Sequence, residues 1–397
     1  MFSYDVCIIG GCGHVGLPLS IALADCGKKV MVYDINTESV NAVRQGNMPF
    51  HEDGADELLK KVLAAGSLLL SDSPSVISDS NVIIMIIGTP VDEHLNPKFG
   101  VMIESVNQCI PYFRNGQTLI LRSTVYPGIS QRVSCWLIEA GLTMNVCFCP
   151  ERILEGKAMT ELHTLPQIIS SFTPEGLQKC RELFGLLTNE IVEVLPAEAE
   201  LAKLFTNVWR YIKFAVANQF YMIANDYHLD FYQVYHAVTH QYARAKDLPK
   251  AGFAAGPCLF KDSMQLAAFN NGNFYLGHAA MLVNEGFPNY VVQKLRSKYP
   301  ISQMTVGILG MAFKGDSGDI RESLSYKLRK ILQIQAGKVL CADSFVVDAS
   351  FVSQEELVAK SDIVIIATPH SQYRDIIFPE NRIVADVWNV LGKGGQI

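Results

Sequence analysis

The chain has 397 residues, 49% of them hydrophobic and 18% charged, which describes an ordered globular protein of two or three domains and excludes extended disorder. A formal net charge of −6, with no Lys/Arg cluster to follow a phosphate backbone, excludes nucleic acid as a partner, so any anionic ligand must be held locally. Ten cysteines at 7, 12, 26, 109, 135, 147, 149, 180, 258 and 341 show no Cys-x-x-Cys pair and no His-rich companion, so no metal site is expected and the thiols read as reduced and cytoplasmic. No basic and apolar leader opens the chain, and no apolar run nears the ~20 residues that span a bilayer, so neither secretion nor membrane insertion is expected.

In chain order the first element is a strand, Asp5–Ile9, followed by Gly11-Cys12-Gly13-His14-Val15-Gly16 and a helical pattern to Cys26. A second strand, Lys29–Tyr33, ends at Asp34. Gly11 is expected to permit the turn, Gly13 to let backbone approach a pyrophosphate, and Gly16 to let the helix pack on the strand. Asp34, eighteen residues past Gly16, is placed to accept hydrogen bonds from a ribose 2′-hydroxyl and would repel a 2′-phosphate; NAD is therefore the expected cofactor. Three strand motifs of the N-terminal part return in the same order near the other end. Val6–Gly10 is echoed by Val306–Gly310, Lys29–Asp34 by Lys338–Asp343, and Asn81–Pro90 by Asp362–Pro369. Apolar β-branched runs of this kind suit parallel strands buried on both faces. The predicted fold is α/β, with two Rossmann-like doubly wound domains joined by a long central helix and a helical domain. The second copy has Gly310-Met-Ala-Phe-Lys-Gly315 in place of the glycine fingerprint, so a different phosphate-bearing ligand is expected there.

Between the repeats, the stretch from Pro196 to Asp226 has no breaker after its first residue, which predicts one helix of roughly 45 Å. Lys203, Asn207 and Arg210 fall on one face of it, with Asn218 about two turns further; such a polar stripe reads as a solvated face or as the lining of a cleft. A helix of this length also offers a surface for a second subunit. Downstream, Gly256-Pro-Cys258-Leu-Phe-Lys-Asp262 sets a thiol, an ammonium and a carboxylate within five residues. A thiolate able to capture an aldehyde extends a dehydrogenase beyond the alcohol-to-aldehyde step, because the resulting thiohemiacetal can be oxidised to a thioester and hydrolysed to an acid.

Seven ordered motifs, together with the fingerprint run, carry a resemblance over nearly the whole length. Gly11–Leu19 is followed by Arg44-Gln-Gly-Asn-Met-Pro-Phe50, Gly88-Thr-Pro90, Ser123-Thr-Val-Tyr-Pro-Gly128 and Pro150-Glu-Arg-Ile-Leu-Glu-Gly156. Glu200-Leu-Ala-Lys-Leu-Phe-Thr-Asn207, Gly256–Asp262 and Phe313–Ser323 complete the set. The sequence resembles the nucleotide-sugar 6-dehydrogenases, the UDP-glucose/GDP-mannose dehydrogenase superfamily. The resemblance implies an NAD-binding domain at 1–195, a helical domain with the dimerisation helix and reactive cysteine at 196–300, a UDP-sugar-binding domain at 301–397, and a homodimer. It implies Cys258 as nucleophile and Lys203 and Asn207 around the oxyanion. Thr124 would position a water, Glu155 would be the base, and Asp262 would belong to the same network. Cofactor contacts would come from Gly11, Gly13, His14, Val15, Gly16, Asp34, Thr89, Pro90, Ser123, Thr124 and Arg321. Substrate contacts would come from Glu151, Arg152, Lys203, Asn207, Arg244 and Lys314. Were 151–155 helical, Glu151 and Glu155 would share one face.

The implied reaction is the NAD-dependent four-electron oxidation of the C6 hydroxyl of a UDP-sugar to a uronic acid. Phe253-Ala-Ala-Gly-Pro-Cys258 matches neither of the commoner loop types, and the general pattern points to a UDP-N-acetylhexosamine of GlcNAc or ManNAc configuration, with UDP-glucose as the alternative. A two-electron β-hydroxyacid dehydrogenase is a further alternative; it would need neither the cysteine nor the second repeat.

Overall fold

The computed structural model describes residues 2–89, 92, 98–254, 256 and 258–397. Pro90, one of the expected cofactor contacts, lies outside the described residues. The chain divides into two compact units, 1–205 and 206–397, with the division inside one long helix.

In the first unit, six parallel strands form a sheet in the order β3-β2-β1-β4-β5-β6. They are β1 (Tyr4–Ile9), β2 (Val30–Tyr33), β3 (Leu68–Ser71), β4 (Ser80–Met85), β5 (Thr118–Leu121) and β6 (Asn145–Phe148). The sheet is doubly wound, the arrangement in which ligands bind beyond the carboxyl ends of the strands where the order reverses. Alternate residues of β1 serve opposite faces. Val6 and Ile8 pack with Leu17, Ile21 and Val32, whereas Cys7 and Ile9 pack with Ile83, Val106 and Leu119. Burial on both faces is why the strand is a continuous apolar run rather than an alternating one; burying Ile8 completely contributes roughly 1.5–3 kcal/mol. A pair of short parallel strands, β7 (Gln167–Ile169) and β8 (Ile191–Glu193), follows.

The second unit contains a four-stranded parallel sheet, ordered β10-β9-β11-β12, built from β9 (Thr305–Leu309), β10 (Lys338–Ala342), β11 (Ile363–Ile366) and β12 (Ile383–Asp386). The sequence echo is thereby a structural one. β9, β10 and β11 take the same relative places as β1, β2 and β4, the second strand of each trio pairing with one edge of the first and the third with the other. Here too, alternate residues part: Ile363 and Ile365 face one core, Val364 and Ile366 another.

The long helix spans Pro196–Asp226, 31 residues, as the absence of breakers predicts. Among the described residues, no helix is long and apolar enough to cross a membrane, and none of the ten cysteines is in a disulfide.

Candidate functional site

The fingerprint turn follows β1 directly. Its left-handed residue is Gly10, at φ +74°, where a Cβ would lie 1.9 Å from the Ile86 carbonyl oxygen. This corrects the expectation that Gly11 permits the turn; Gly11 is restricted instead by its approach to Val32 and Ile8. Gly16 does allow close packing, since a Cβ there would sit 2.6 Å from the Gly10 carbonyl oxygen and 2.7 Å from the Gly11 Cα. Gly13 stands exposed at the tip, where a Cβ would make only an ordinary contact with the Gly10 carbonyl oxygen at 3.7 Å, and Val15 immediately precedes the helix Gly16–Asp25. The His14 ring stacks on Phe50 at 4.0 Å, which brings the Arg44–Phe50 motif to the fingerprint turn.

Asp34, half-buried at the end of β2, accepts the Cys12 N–H on Oδ2 and the Asn36 N–H on Oδ1, each at 3.0 Å. The turn and the carboxylate are thus fixed to one another. An exposed glycine, an open turn at a helix N-terminus and an oriented carboxylate at the next strand end fit a dinucleotide.

Beyond β4 and β5, the Ser123 Oγ accepts the Ile87 N–H at 2.7 Å and ties the two strand ends together, while Thr89 and Thr124 remain half-buried beside them. Glu200, on the long helix and 1% exposed, accepts the Gly128 N–H at 2.6 Å and the Ser130 N–H at 2.9 Å. It therefore holds the turn that follows Thr124 to the helix that carries Lys203.

The segment Glu151–Gly156 is a loop, so the shared helical face expected for Glu151 and Glu155 does not form. Its backbone is satisfied by side chains instead. Glu151 is buried, ion-paired to the fully buried Arg122, and accepts the Arg152 and Ile153 N–H groups at 2.6 and 3.1 Å. Arg122 also donates to the Cys149 carbonyl and to Gln167 Oε1, each at 3.0 Å, and lies over the Phe184 ring. Arg152 donates to the Pro166 carbonyl, and burial lowers its pKa. Glu155 is half-buried.

In the second unit, Cys258 is exposed and stands immediately before the helix Leu259–Phe269, whose N-terminal dipole favours negative charge. One turn on, the Asp262 carboxylate is fully buried, accepts the Asn207 Nδ2–H at 2.5 Å and lies 3.3 Å from the Lys261 ammonium. The structure therefore brings Asn207, Asp262 and the Cys258 helix together. Lys203, half-buried one turn before Asn207, belongs to the same helix.

The stripe expected to be solvated or cleft-lining is neither throughout: Arg210 is exposed, but Asn218 is completely buried. Asn218 donates to Asn284 Oδ1 at 3.0 Å and accepts the Gly252 N–H at 2.8 Å, and Asn284 donates to the Tyr211 carbonyl at 3.0 Å. This network anchors the approach to the cysteine loop. Gly256 (φ +109°) passes so close to Phe313 that a Cβ would stand 2.8 Å from the ring, which sets the cysteine loop beside the segment of Lys314. A cavity of about 380 Å³ opens there, lined by Gly256, Phe260, Glu285, Ser323, Tyr326 and Lys327.

Lys314 is half-buried, and Arg244 is exposed in a short turn. Arg321 is exposed, its Nε donating to both oxygens of Asp319 at 3.0 and 2.9 Å.

Asp343, the counterpart of Asp34, is a residue whose importance the sequence does not disclose. Its side chain is fully buried and its oxygens accept the N–H groups of Met311, Ala312, Phe345 and Val346. Burial pushes its pKa up, but the bonds from His370 and these amides outweigh burial and lower it to about 2. His370 accepts the Asp316 N–H on Nδ1, so the Nε2 carries the proton and donates to Asp343 at 3.2 Å. The dyad pins the turn that bears Lys314. In the first repeat the carboxylate is half-exposed at a ligand-ready turn; in the second, backbone and imidazole occupy it. The replaced glycine fingerprint marks the second turn as different, but not that its carboxylate is enclosed.

Comparison with known proteins agrees with this architecture. Residues 4–188 match the NAD binding domain of the UDP-glucose/GDP-mannose dehydrogenase family, 197–285 its central domain and 307–393 its UDP binding domain. The chain is 26% identical to the UDP-N-acetyl-D-mannosamine dehydrogenase of Pyrococcus horikoshii over 377 residues, covering 92% of this chain and 90% of that protein. The solved structure of UDP-D-ManNAc dehydrogenase from the same organism superposes with a TM-score of 0.87, covering 94% of this chain and 91% of that one. An NDP-N-acetyl-D-galactosaminuronic acid dehydrogenase of Ralstonia solanacearum is 25% identical over 95% of this chain and 94% of its own. In fold, a UDP-glucose dehydrogenase from Pyrobaculum islandicum is similar with a TM-score of 0.91 at 24% identity, over 98% of this chain and 94% of that one. The two sheets, the fingerprint turn and the three matched domains establish that this chain belongs to the UDP-glucose/GDP-mannose dehydrogenase family and is an NAD-dependent oxidoreductase.

Proposed function

We propose that the protein oxidises the C6 hydroxyl of a UDP-N-acetylhexosamine, of ManNAc or GlcNAc configuration, to the uronic acid in a four-electron reaction. The observation that carries the reading is the thiol at a helix N-terminus one turn from a buried Asp262 bonded to Asn207. The cysteine distinguishes this reaction from a two-electron dehydrogenation. NAD, when bound, supplies the electron acceptor for each of the two oxidations. Gly11, Gly13, His14, Val15, Gly16 and Asp34 would hold it, with Thr89, Ser123, Thr124 and Arg321 alongside.

Cys258 adds to the C6 aldehyde to give a thiohemiacetal, whose oxidation leaves a thioester. Lys203 and Asn207 stabilise the developing oxyanion by charge and by an amide donor, and Asp262 orients Asn207 through their hydrogen bond. Thr124 positions the water and Glu155 takes its proton as it attacks the thioester. Glu151, Arg152, Arg244 and Lys314 hold the sugar nucleotide. Glu151 would act through the loop it organises, because its carboxylate already serves Arg122 and two backbone amides.

The N-acetylhexosamine is favoured over glucose by relatives named for UDP-N-acetyl-D-mannosamine and for an NDP-N-acetyl-D-galactosaminuronic acid. The domain roles follow the division 1–195, 196–300 and 301–397. A homodimer fits Trp209, Val216, Phe220 and Ile223, exposed on one face of the long helix, with exposed Tyr227 just beyond its end. The reaction belongs to the cytoplasm, where the thiols stay reduced.

The test is NADH production with UDP-GlcNAc, UDP-ManNAc, UDP-GalNAc, UDP-glucose and UDP-galactose, run to completion at limiting sugar. Two NADH per sugar with UDP-ManNAc or UDP-GlcNAc is expected; one NADH would overturn the thioester route, and turnover of UDP-glucose alone would reassign the substrate. Cys258→Ser is expected to abolish acid formation and retain NAD binding, measured by titration; uronate at the native rate would remove the thiol from the mechanism.

A further inference from the structure

We infer that Glu52 is a positioning residue for the hydrolytic half of the reaction, setting the loop on which Glu155 sits. The inference rests on the reading of Glu155 as the group that activates water. Glu52 lies two residues beyond the Arg44–Phe50 motif and is 1% exposed. Its Oε2 accepts the Gly156 N–H at 2.8 Å, and its Oε1 accepts the Ala158 N–H at 2.6 Å. The strand of chain around it returns the grip, the Asp53 N–H donating to the Gly156 carbonyl at 3.4 Å.

The Gly156 N–H belongs to the peptide formed by the Glu155 carbonyl, so Glu52 holds the amide that directly follows the candidate base. Gly156 itself is left-handed, at φ +86°. On the other side, the Leu154 N–H is held by Glu161 Oε2 at 2.6 Å. Glu155 is therefore flanked by two amides, each bonded to a carboxylate, within a loop that has no helical or strand ladder of its own. Burying a carboxylate is costly unless it is hydrogen-bonded, and charge-assisted bonds to two amides more than a hundred residues away offset that cost while fixing the loop.

A base must meet its water within hydrogen-bond reach, and displacement by about 1 Å can cost up to ~10²-fold in rate. Glutamine at position 52 would keep one acceptor and turn an NH2 against the second amide. In the step affected, water adds to the thioester carbonyl, its proton passes to Glu155, the C–S bond breaks, and the Cys258 thiolate leaves.

The experiment compares wild type, Glu52→Gln, Glu52→Asp and Glu155→Gln in single turnovers with NAD and UDP-N-acetyl-D-mannosamine. It follows NADH, and the sugar acyl adduct on Cys258 by intact mass, with thermal melting and NAD affinity as folding controls. Glu155→Gln should accumulate the adduct. Glu52→Gln should form the adduct at nearly the native rate and break it down about tenfold or more slowly, with KM unchanged, and Glu52→Asp should partly restore breakdown. Native breakdown in folded Glu52→Gln overturns the inference and leaves the role of Glu155 standing. Native breakdown in Glu155→Gln overturns that role and the inference with it. Equal slowing of oxidation and hydrolysis would make Glu52 structural only. If Glu52→Gln fails to fold, Glu52→Asp supplies the same comparison, since it keeps the charge but is too short to reach both amides.

Discussion

Asp34 is the side chain proposed to join fold to cofactor choice. Its carboxylate is oriented by the Cys12 and Asn36 amides and remains half-exposed. In that proposed role, alanine would remove both the acceptor for a ribose 2′-hydroxyl and the charge that repels a 2′-phosphate. Asp34→Ala should therefore weaken NAD binding and narrow the preference over NADP, checked by steady-state kinetics with each cofactor. In the proposed role Lys203 serves a charge that develops during reaction, so Lys203→Ala should lower kcat by about 10² or more with little change in KM. A pure KM effect would assign it to substrate binding. Both residues stand out in the sequence because they sit in motifs. Glu52 and Arg122 do not, because what distinguishes them is burial, and a buried charge is recognised only by the donors and acceptors gathered around it.

The strands and the long helix follow from pattern alone. β-branched runs bounded by glycine give strands buried on both faces, and the breaker-free run of 196–226 gives one helix. The loops resist such reading. Glu151–Glu155 has the spacing of a helical face and yet forms a loop, in which the carboxylates of Glu151, Glu161 and Glu52 take amides that helix carbonyls would otherwise have bonded. The turn before Lys314 is likewise held by Asp343 and His370. With the Asp343 carboxyl lowered from 3.8 to about 2, the stability it contributes is complete above about pH 3.8 and is lost as pH falls through about 2. Asp343→Asn should remove that contribution at neutral pH and flatten acid unfolding between those values, followed by circular dichroism along a pH titration.

At the level of the whole chain, one βαβ scheme is used twice with different outcomes: an open turn beside Asp34 and a closed one around Asp343. The exposed apolar face at Trp209, Val216, Phe220, Ile223 and Tyr227 predicts association of two copies. Light scattering should give a dimer for the native protein at micromolar concentration and a monomer for the Trp209→Glu/Phe220→Glu variant; a monomeric native protein would refute the homodimer. The amino-acid sequence by itself determined the α/β class, the internal repeat, the long helix, the cofactor and the family. Those properties are written in periodicity, glycine spacing and local residue chemistry. Tertiary structure alone decided which carboxylates are left to meet ligands and which are spent on backbone. Glu52, Glu151, Glu200 and Asp343 look alike as letters, but their roles are set by amides and cations that the fold brings to them from elsewhere in the chain.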